Sequence, residues 1–273
     1  MPVPIRVADA NDPRLAAYRA IRERDLRGDR ARAGRFVGEQ RLIVERMLAM
    51  PGLTESVLCL PAEADRLAPR VPDDVPLYVA DKPVMAAIAG FPIHRGVLAI
   101  GRRPPPERLV LDAALPQRPG PMTVLACEDI THPDNVGMLF RTAAAFAVDA
   151  VLLSPGCHDP LYRRAVRLSI GHVLDMPWAW AASWPDDLDR LASEWGLCRI
   201  GAALEAGALA LDDAPRPERL VLVVGTEAHG LSLAARARLD LVVRIPMAAG
   251  VDSLNVSVAA AVCLHRLSRG RRT

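Results

Sequence analysis

The chain has 273 residues, of which 51% are hydrophobic and 24% charged, which suits one large or two ordinary packed domains and excludes a disordered polymer. Its formal charge of +2 is too small to predict a nucleic-acid partner from the total alone. No apolar run reaches the length that spans a bilayer, and the first residues lack the apolar core and cleavage pattern of a secretory signal. We therefore expect a packed protein of the cytoplasm that does not enter a membrane.

The cysteines also exclude some classes. The five are odd in number, scattered, and form no CxxC pair, so neither a zinc site nor a disulfide framework is expected. Reduced thiols in the protein core are the simplest interpretation, and no metal is expected. Arginine supplies nearly all the positive charge, since Lys82 is the single lysine. The planar, fork-shaped guanidinium group of arginine can bind a phosphate through two hydrogen bonds.

A helix start is predicted near the beginning of the chain, with Asp12 as its cap and Pro13 in its first turn. Arginines then crowd the sequence up to residue 35. They allow two interpretations of equal weight, a solvated helix face paired with nearby acids or a surface that contacts the RNA backbone. The arginines concerned are Arg19, Arg22, Arg24, Arg27, Arg30, Arg32 and Arg35.

Apolar strand-like runs then alternate with helical ones, which predicts a small α/β domain. The expected elements are an extended entry and helix over 36–50, strands at 56–60, 76–80 and 96–100, and helices at 61–67 and 82–89. Pro104, Pro105 and Pro106 follow, and such a run is stiff and extended. We place the first domain at 1–103, a Pro-rich linker at 104–120 and a second domain at 121–273.

The second domain also alternates, with strands that are apolar almost throughout. Such strands indicate a parallel sheet covered on both faces, whose carboxyl edge binds ligands. Ser253 or Asn255 is expected to cap the last helix. The predicted strands are 122–127, 150–154, near 197–200, 220–224 and 241–245, and the helices 135–147 and 161–169.

A Gly-rich turn, Gly225-Thr226-Glu227-Ala228-His229-Gly230, follows one of these strands. It is neither a Walker loop nor a dinucleotide fingerprint, because it lacks the Lys-Ser/Thr ending and the required glycine spacing. By itself it is simply a turn. Likewise, Asn135 and Arg141 alone would be a helix cap and an exposed cation, and Glu227 a surface charge or a cap. Cys127 at a strand end is a core residue rather than a nucleophile.

Three ordered motifs give these positions another meaning. They are DITHPDNVGMLFRTAAAFAVDAVLLS at 129–154, LVVGTEAHGLS at 222–232 and IPMAAGVDSLNVSVAAAVCLHRL at 245–267. Together they resemble the motifs of the SpoU-type (TrmH-like) RNA 2'-O-ribose methyltransferases of the SPOUT class. FVGEQRLIVERML, at 36–48, resembles the start of the small substrate-binding domain that precedes many of their catalytic domains.

The resemblance implies a parallel-sheet SPOUT domain with a deep trefoil knot, preceded by a small α/β RNA-binding domain. It implies S-adenosylmethionine as cofactor, bound by backbone groups of Gly225, Ile245 and Leu254. It also implies an RNA partner, rRNA or alternatively tRNA, and a homodimer with the cofactor sites near its interface. Ala228 stands where the family commonly has Gly, which adds only a Cβ atom.

The catalytic residues implied by the resemblance are Asn135, Arg141, Glu227, Ser253 and Asn255. Arg141 is often described in the family as a general base. A guanidinium holds its proton far above neutral pH, so an orienting role toward ribose and phosphate is chemically easier. Glu227 would accept a hydrogen bond that orients Arg141 or Asn135. The alternative function is a non-catalytic RNA-binding or ribosome-assembly protein on the same scaffold.

Overall fold

The computed structural model describes residues 2–19, 34–90, 96–205, 207–226, 229–251 and 253–268. The chain forms two compact units. Unit 1 contains Met1–Pro105 together with Leu161–Leu174, and unit 2 contains Pro106–Pro160 together with Asp175–Thr273. The change at Pro105 falls in the Pro-rich run. The placement of Leu161–Leu174 in unit 1 differs from the contiguous second domain expected from the sequence.

Residues before the Pro-rich run form a five-stranded sheet with helices. The elements are β1 (Ile5–Val7), a 3-10 helix (Pro13–Tyr18), β2 (Arg35–Glu39), α1 (Arg41–Leu48), β3 (Thr54–Cys59), α2 (Pro61–Leu67), a 3-10 turn (Ala68–Arg70), β4 (Leu77–Ala80), α3 (Lys82–Ala89) and β5 (Val97–Arg102). The order is β1-β4-β3-β5-β2, and β5 runs against the other strands. The predicted alternation is confirmed, and α2 and α3 have the predicted bounds.

The first helix begins as its sequence predicts. The Asp12 carboxylate accepts a hydrogen bond from the Arg14 N–H at 2.9 Å, and Pro13 is the first helical residue, although the helix is of the 3-10 type. Leu15 and Tyr18 are fully buried in the core of unit 1. Of the crowded arginines, Arg35 pairs with Glu55 at 2.7 Å. The arginines from Arg22 to Arg32, for which the sequence allows two interpretations, lie outside the described residues.

The rest of the chain supplies a second sheet. Its elements are a 3-10 turn (Pro106–Arg108), α4 (Leu111–Ala114), β6 (Met122–Cys127), α5 (Pro133–Ala145), β7 (Ala150–Leu153), α6 (Arg163–Leu168), α7 (His172–Asp175), β8 (Trp178–Trp180), α8 (Asp186–Trp195), β9 (Cys198–Ala202), β10 (Leu209–Ala210), a 3-10 turn (Leu211–Asp213), β11 (Arg219–Val224), α9 (Leu233–Arg236), β12 (Leu241–Arg244) and α10 (Val256–Leu267).

The sheet of unit 2 is parallel throughout, in the order β10-β12-β9-β11-β6-β7-β8, as the apolar strands predicted. Alternate residues of β11 serve opposite faces. Val221 and Val223 join a core with Leu188 and Leu191 of α8, while α10 also packs on β11. Both faces are therefore covered. Within the described residues, no helix has the length and apolarity to cross a membrane.

Helix α6 packs on the edge strand β2 within unit 1. Arg163 donates to the Glu39 carboxylate at 2.7 Å, and Arg167 lies 3.7 Å from the same carboxylate. The side chains of Arg163 and Glu39 are only 10% and 11% exposed. Arg46 of α1 makes a further 2.8 Å hydrogen bond with His172. This largely desolvated pairing joins residues 124 positions apart and accounts for the assignment of Leu161–Leu174 to unit 1.

Candidate active site

A cavity of about 260 Å³ lies at the carboxyl ends of β9, β11 and β12. Gly225, Ile245 and Leu254, which the motifs associate with the cofactor, all line it, and so does Ser253. The remaining wall residues are mostly apolar. They are Ala202, Ala203, Leu204, Val224, Thr226, His229, Gly230, Arg236, Val243, Met247, Val256 and Ala259. The structure thus brings residues from the second and third motifs to one edge of the parallel sheet.

Gly225 is required by a close approach of the backbone. A Cβ atom at this position would lie 2.2 Å from the Gly230 carbonyl oxygen, well inside van der Waals contact. The loop turns back tightly, since the Gly230 N–H donates to the Thr226 carbonyl at 2.9 Å and the His229 N–H donates to the Thr226 hydroxyl at 3.1 Å. Glu227 and Ala228 lie outside the described residues. Gly225 therefore packs against the Gly230 backbone and also lines the cavity.

In the third motif, Asn255 lies at the N-cap position of α10. Its side-chain oxygen accepts from the Ser257 N–H at 3.0 Å, so Asn255, of the two expected candidates, is the helix cap. The side-chain nitrogen of Asn255 donates to the Asn135 side-chain oxygen at 2.9 Å. Asn135 lies in the first turn of α5. One hydrogen bond therefore joins the first and third motifs, 120 residues apart.

Arg141 lies elsewhere on the same helix. Six residues after Asn135, it is about 9 Å further along the helix axis and about 120° around it. The side chain is exposed and does not line the cavity. The structure therefore brings Asn135, Ser253 and Asn255 close to the cavity residues but leaves the Arg141 guanidinium at the surface, where it is accessible to a phosphate.

Glu128 is a buried carboxylate that holds Ser232 in place, and the sequence analysis did not identify it. It is 4% exposed and follows β6 directly. Its carboxylate accepts hydrogen bonds from the Ser232 N–H at 2.8 Å, the Ser232 hydroxyl at 2.6 Å and the Trp184 indole at 2.7 Å. Ser232 in turn caps α9. A buried carboxylate needs such donors, and these fix the far end of the loop that begins at Gly225. A charged residue immediately after an apolar strand was the available signal.

The neighbouring cysteines do not offer nucleophiles. Cys127 is 1% exposed, and burial raises the pKa of its thiol well above the ordinary value. Burial likewise raises the pKa of Cys157, whose thiol donates to the Cys127 carbonyl at 3.2 Å. Since the thiolate is the reactive form, both side chains are inert in the folded protein. The expectation that Cys127 is a core residue is confirmed.

Comparison with known proteins identifies the family. The model of the SpoU rRNA methylase family matches residues 122–265, more than half of the chain. A protein named an uncharacterized tRNA/rRNA methyltransferase from Mycobacterium tuberculosis is 39% identical over 272 residues, which cover 96% of this chain and 91% of that protein. The chain therefore belongs to the SpoU rRNA methylase family, and is classed with the RNA methyltransferases.

Solved structures agree in fold with the whole described chain. An AdoMet-bound rRNA methyltransferase from Sinorhizobium meliloti matches with a TM-score of 0.80 at 22% identity, over 96% of this chain and 97% of that one. A crystal structure of an RNA 2'-O ribose methyltransferase matches with a TM-score of 0.75 at 27% identity, over 97% of each chain. Both units of the present chain therefore have counterparts in methyltransferase structures.

Proposed function

We propose that the protein is an S-adenosylmethionine-dependent RNA 2'-O-ribose methyltransferase that acts on rRNA, with tRNA as the second candidate substrate. The observation that carries this proposal is the meeting of three motifs at one sheet edge. Gly225, Ile245 and Leu254 line a single cavity, and the hydrogen bond between Asn135 and Asn255 lies at the start of the two helices beside it. The 27% identical 2'-O ribose methyltransferase structure favours ribose as the acceptor.

The donor set of the cavity fits this cofactor. Its apolar walls, including Val224, Val243 and Val256, suit the flat face of an adenine, and Gly225 lies in the same cavity wall. When bound, S-adenosylmethionine supplies a methyl group activated by its sulfonium. We assign Gly225, Ile245 and Leu254 to cofactor binding through their backbone groups.

The remaining residues position the ribose. Asn135, Ser253 and Asn255 supply neutral donors and acceptors at the side of the cavity, which can orient a 2'-hydroxyl without adding charge. Arg141 binds the phosphate next to the target ribose through its planar fork. It stays protonated, so it orients and polarises rather than removing the proton. Glu227 is proposed to hold Arg141 or Asn135 in place.

We also propose a homodimer with a site near its interface. Val258 and Val262 lie one helical turn apart on α10 and remain 48% and 38% exposed, so they form an apolar stripe on the helix that Asn255 caps. Ala259, between them in sequence, lines the cavity. A second copy covering this stripe would complete the surroundings of the site. The trefoil knot, formed by the segment from Gly225 to Leu267, is part of the same proposal.

Two measurements test the function against a non-catalytic RNA-binding protein. Calorimetry with S-adenosylmethionine should give a binding heat, which a purely RNA-binding factor would lack. Unmodified rRNA and tRNA transcripts, incubated with protein and cofactor and digested to nucleosides, should then yield a 2'-O-methylnucleoside by mass spectrometry. A methylated base in its place, or no product together with no binding heat, would overturn the proposal.

A further inference from the structure

One charged pair at the cavity is not used by the proposed chemistry. Arg236 of α9 lines the cavity, and its guanidinium donates to the Glu205 carboxylate at 2.7 Å. The same guanidinium donates through Nε to the Leu231 carbonyl at 2.9 Å. Arg236 therefore contacts two segments. One is the segment after β9, through Glu205, and the other is the end of the loop that begins at Gly225, through Leu231.

The position of these two segments explains why the pair matters. Ala202, Ala203 and Leu204 form one wall of the cavity, and Gly225, Thr226 and Gly230 form the opposing loop. Leu204 is 53% exposed, which is unusual for a leucine that lines a cavity, and Glu205 follows it directly. A bridge from Glu205 to the opposing loop thus holds this apolar side chain at the cavity mouth.

Gly230 lies beside the ion pair. A Cβ atom at Gly230 would be in van der Waals contact with the Arg236 guanidinium, at 3.4 Å. Gly230 has a φ of +64°, a conformation that glycine adopts without strain. The guanidinium is therefore seated against the loop that the cofactor would contact.

We propose that the Arg236–Glu205 ion pair is a latch that holds Leu204 next to the Gly230–Leu231 end of the loop at the cavity, and so slows the dissociation of the cofactor. The inference rests on the proposed function, because it assumes S-adenosylmethionine in this cavity. Arg236 and Glu205 act as positioning residues. Their effect passes through the two segments they join, and neither residue takes part in methyl transfer.

The test measures S-adenosylmethionine affinity and dissociation for full-length variants. Arg236→Met keeps the stem and removes both hydrogen bonds, so the affinity should fall about tenfold, mostly through faster dissociation. Glu205→Gln removes only the charge of a partly exposed pair and should cost about threefold. The double variant should be no weaker than Arg236→Met alone, because the two residues share one interaction. In methyl transfer, KM for the cofactor should rise while kcat changes by less than about twofold.

Arg118→Met is the matched control. Arg118 forms an ion pair with Asp149 of similar exposure, but Asp149 precedes β7 and also holds Thr123 near the start of β6. The pair thus lies at the amino ends of the strands, about one strand length of 15–20 Å from the cavity edge. The control should bind the cofactor like wild type.

The possible outcomes distinguish a failure of the latch proposal from a failure of the proposed function. If wild type binds the cofactor and both single variants bind it equally well, the latch is wrong and the function stands. Additive losses in the double variant, or an equal loss in Arg118→Met, would also overturn the latch. If wild type shows no binding, the latch and the proposed function fail together. Should Arg236→Met not fold, Glu205→Gln decides, since unchanged affinity for that variant contradicts the latch.

Discussion

The two units of the chain arrange their strand ends differently. In unit 2 the strands all run in one direction, so β9, β11 and β12 end at the same edge, and the loops that follow them enclose a cavity. In unit 1 the reversed β5 lies between β3 and β2 and interrupts the row of carboxyl ends. Strand direction, more than composition, therefore decides where a ligand site can form in an α/β chain.

Arginine–acid pairs occur in both units, and the Arg236–Glu205 pair lies at the cavity of unit 2, but the proposed function would use the polar groups of the two units differently. Around the cavity of unit 2, neutral side chains such as Asn135 and Asn255 bind each other. In unit 1 exposed arginines pair with acids across the surface, for example Arg70 with Glu45 at 3.1 Å. Under the proposed function, arginines of this kind would contact the RNA backbone by exchanging ion pairs, whereas the Asn135–Asn255 pair would orient one hydroxyl. Variants can separate these two kinds of contact.

The largest effect is expected for Arg141→Ala. If Arg141 holds the phosphate beside the target ribose, transfer should fall by about 10²–10³-fold, as for other lost transition-state donors. Affinity for S-adenosylmethionine should stay close to wild type, because Arg141 does not line the cavity. Arg141→Lys is the control for charge, and it should also fail, since an ammonium lacks the planar fork. Near wild-type turnover of Arg141→Ala would remove Arg141 from the mechanism, whereas near wild-type turnover of Arg141→Lys would show that the charge suffices without the planar fork.

Asn255→Ala should come next. Losing the cap should cost about 1 kcal/mol of folding free energy, and losing the contact to Asn135 should reduce activity by about 10–100-fold. Asn255→Asp separates the capping role from the contact to Asn135, because aspartate keeps the capping acceptor and removes the amide donor. We expect Asn255→Asp to melt near wild type and still lose activity. If the activity per folded molecule is unchanged in both variants, Asn255 serves only as a cap.

The arginines at and just before the start of β2 provide the corresponding test for unit 1. Arg30, Arg32 and Arg35 replaced together by Ala should flatten the log–log dependence of RNA affinity on salt by up to about three units, one for each phosphate released. Arg190→Ala is the control, because Arg190 of unit 2 is held by Glu194 and Asp112. An unchanged slope in the triple variant would identify these arginines as a solvated face.

The smallest effect concerns the core of unit 1. The Tyr18 hydroxyl and the Ser56 hydroxyl form a buried 2.8 Å hydrogen bond, and Tyr18→Phe leaves Ser56 without it. The unfolding free energy should fall by about 1–2 kcal/mol, and the affinity for S-adenosylmethionine should not change. Chemical denaturation of Tyr18→Phe, Ser56→Ala and the double variant measures the pair. A loss of cofactor affinity would show that the two units are not independent in this respect.

Sequence reasoning succeeded where the signal was local. Pro in the first turn and a short apolar repeat defined α2 and α3 to the residue, and an almost wholly apolar run defined β6. It missed β1 and β8, which are three residues long and lie at sheet edges, so they carry little apolar pattern. It also did not propose α8.

The long-range contacts had no local signal. The hydrogen bond between Asn135 and Asn255 and the pairing of Glu39 with Arg163 join residues more than 100 positions apart. Only resemblance to a family connected the first pair, and nothing connected the second. Residue spacing predicts which side chains share a helix face or a strand end, but not which distant elements meet.

The inclusion of Leu161–Leu174 in unit 1 affects how the protein can be divided into fragments. The chain passes between the units after residues 105, 160 and 174. Proteolysis in the Pro104–Pro106 run would therefore yield two fragments that stay associated, because α6 on the later fragment still packs on β2 of the earlier one. Arg163 and Arg167 pair with Glu39. A chimera that takes residues 1–103 from a relative would therefore also need the relative's residues at positions 163 and 167.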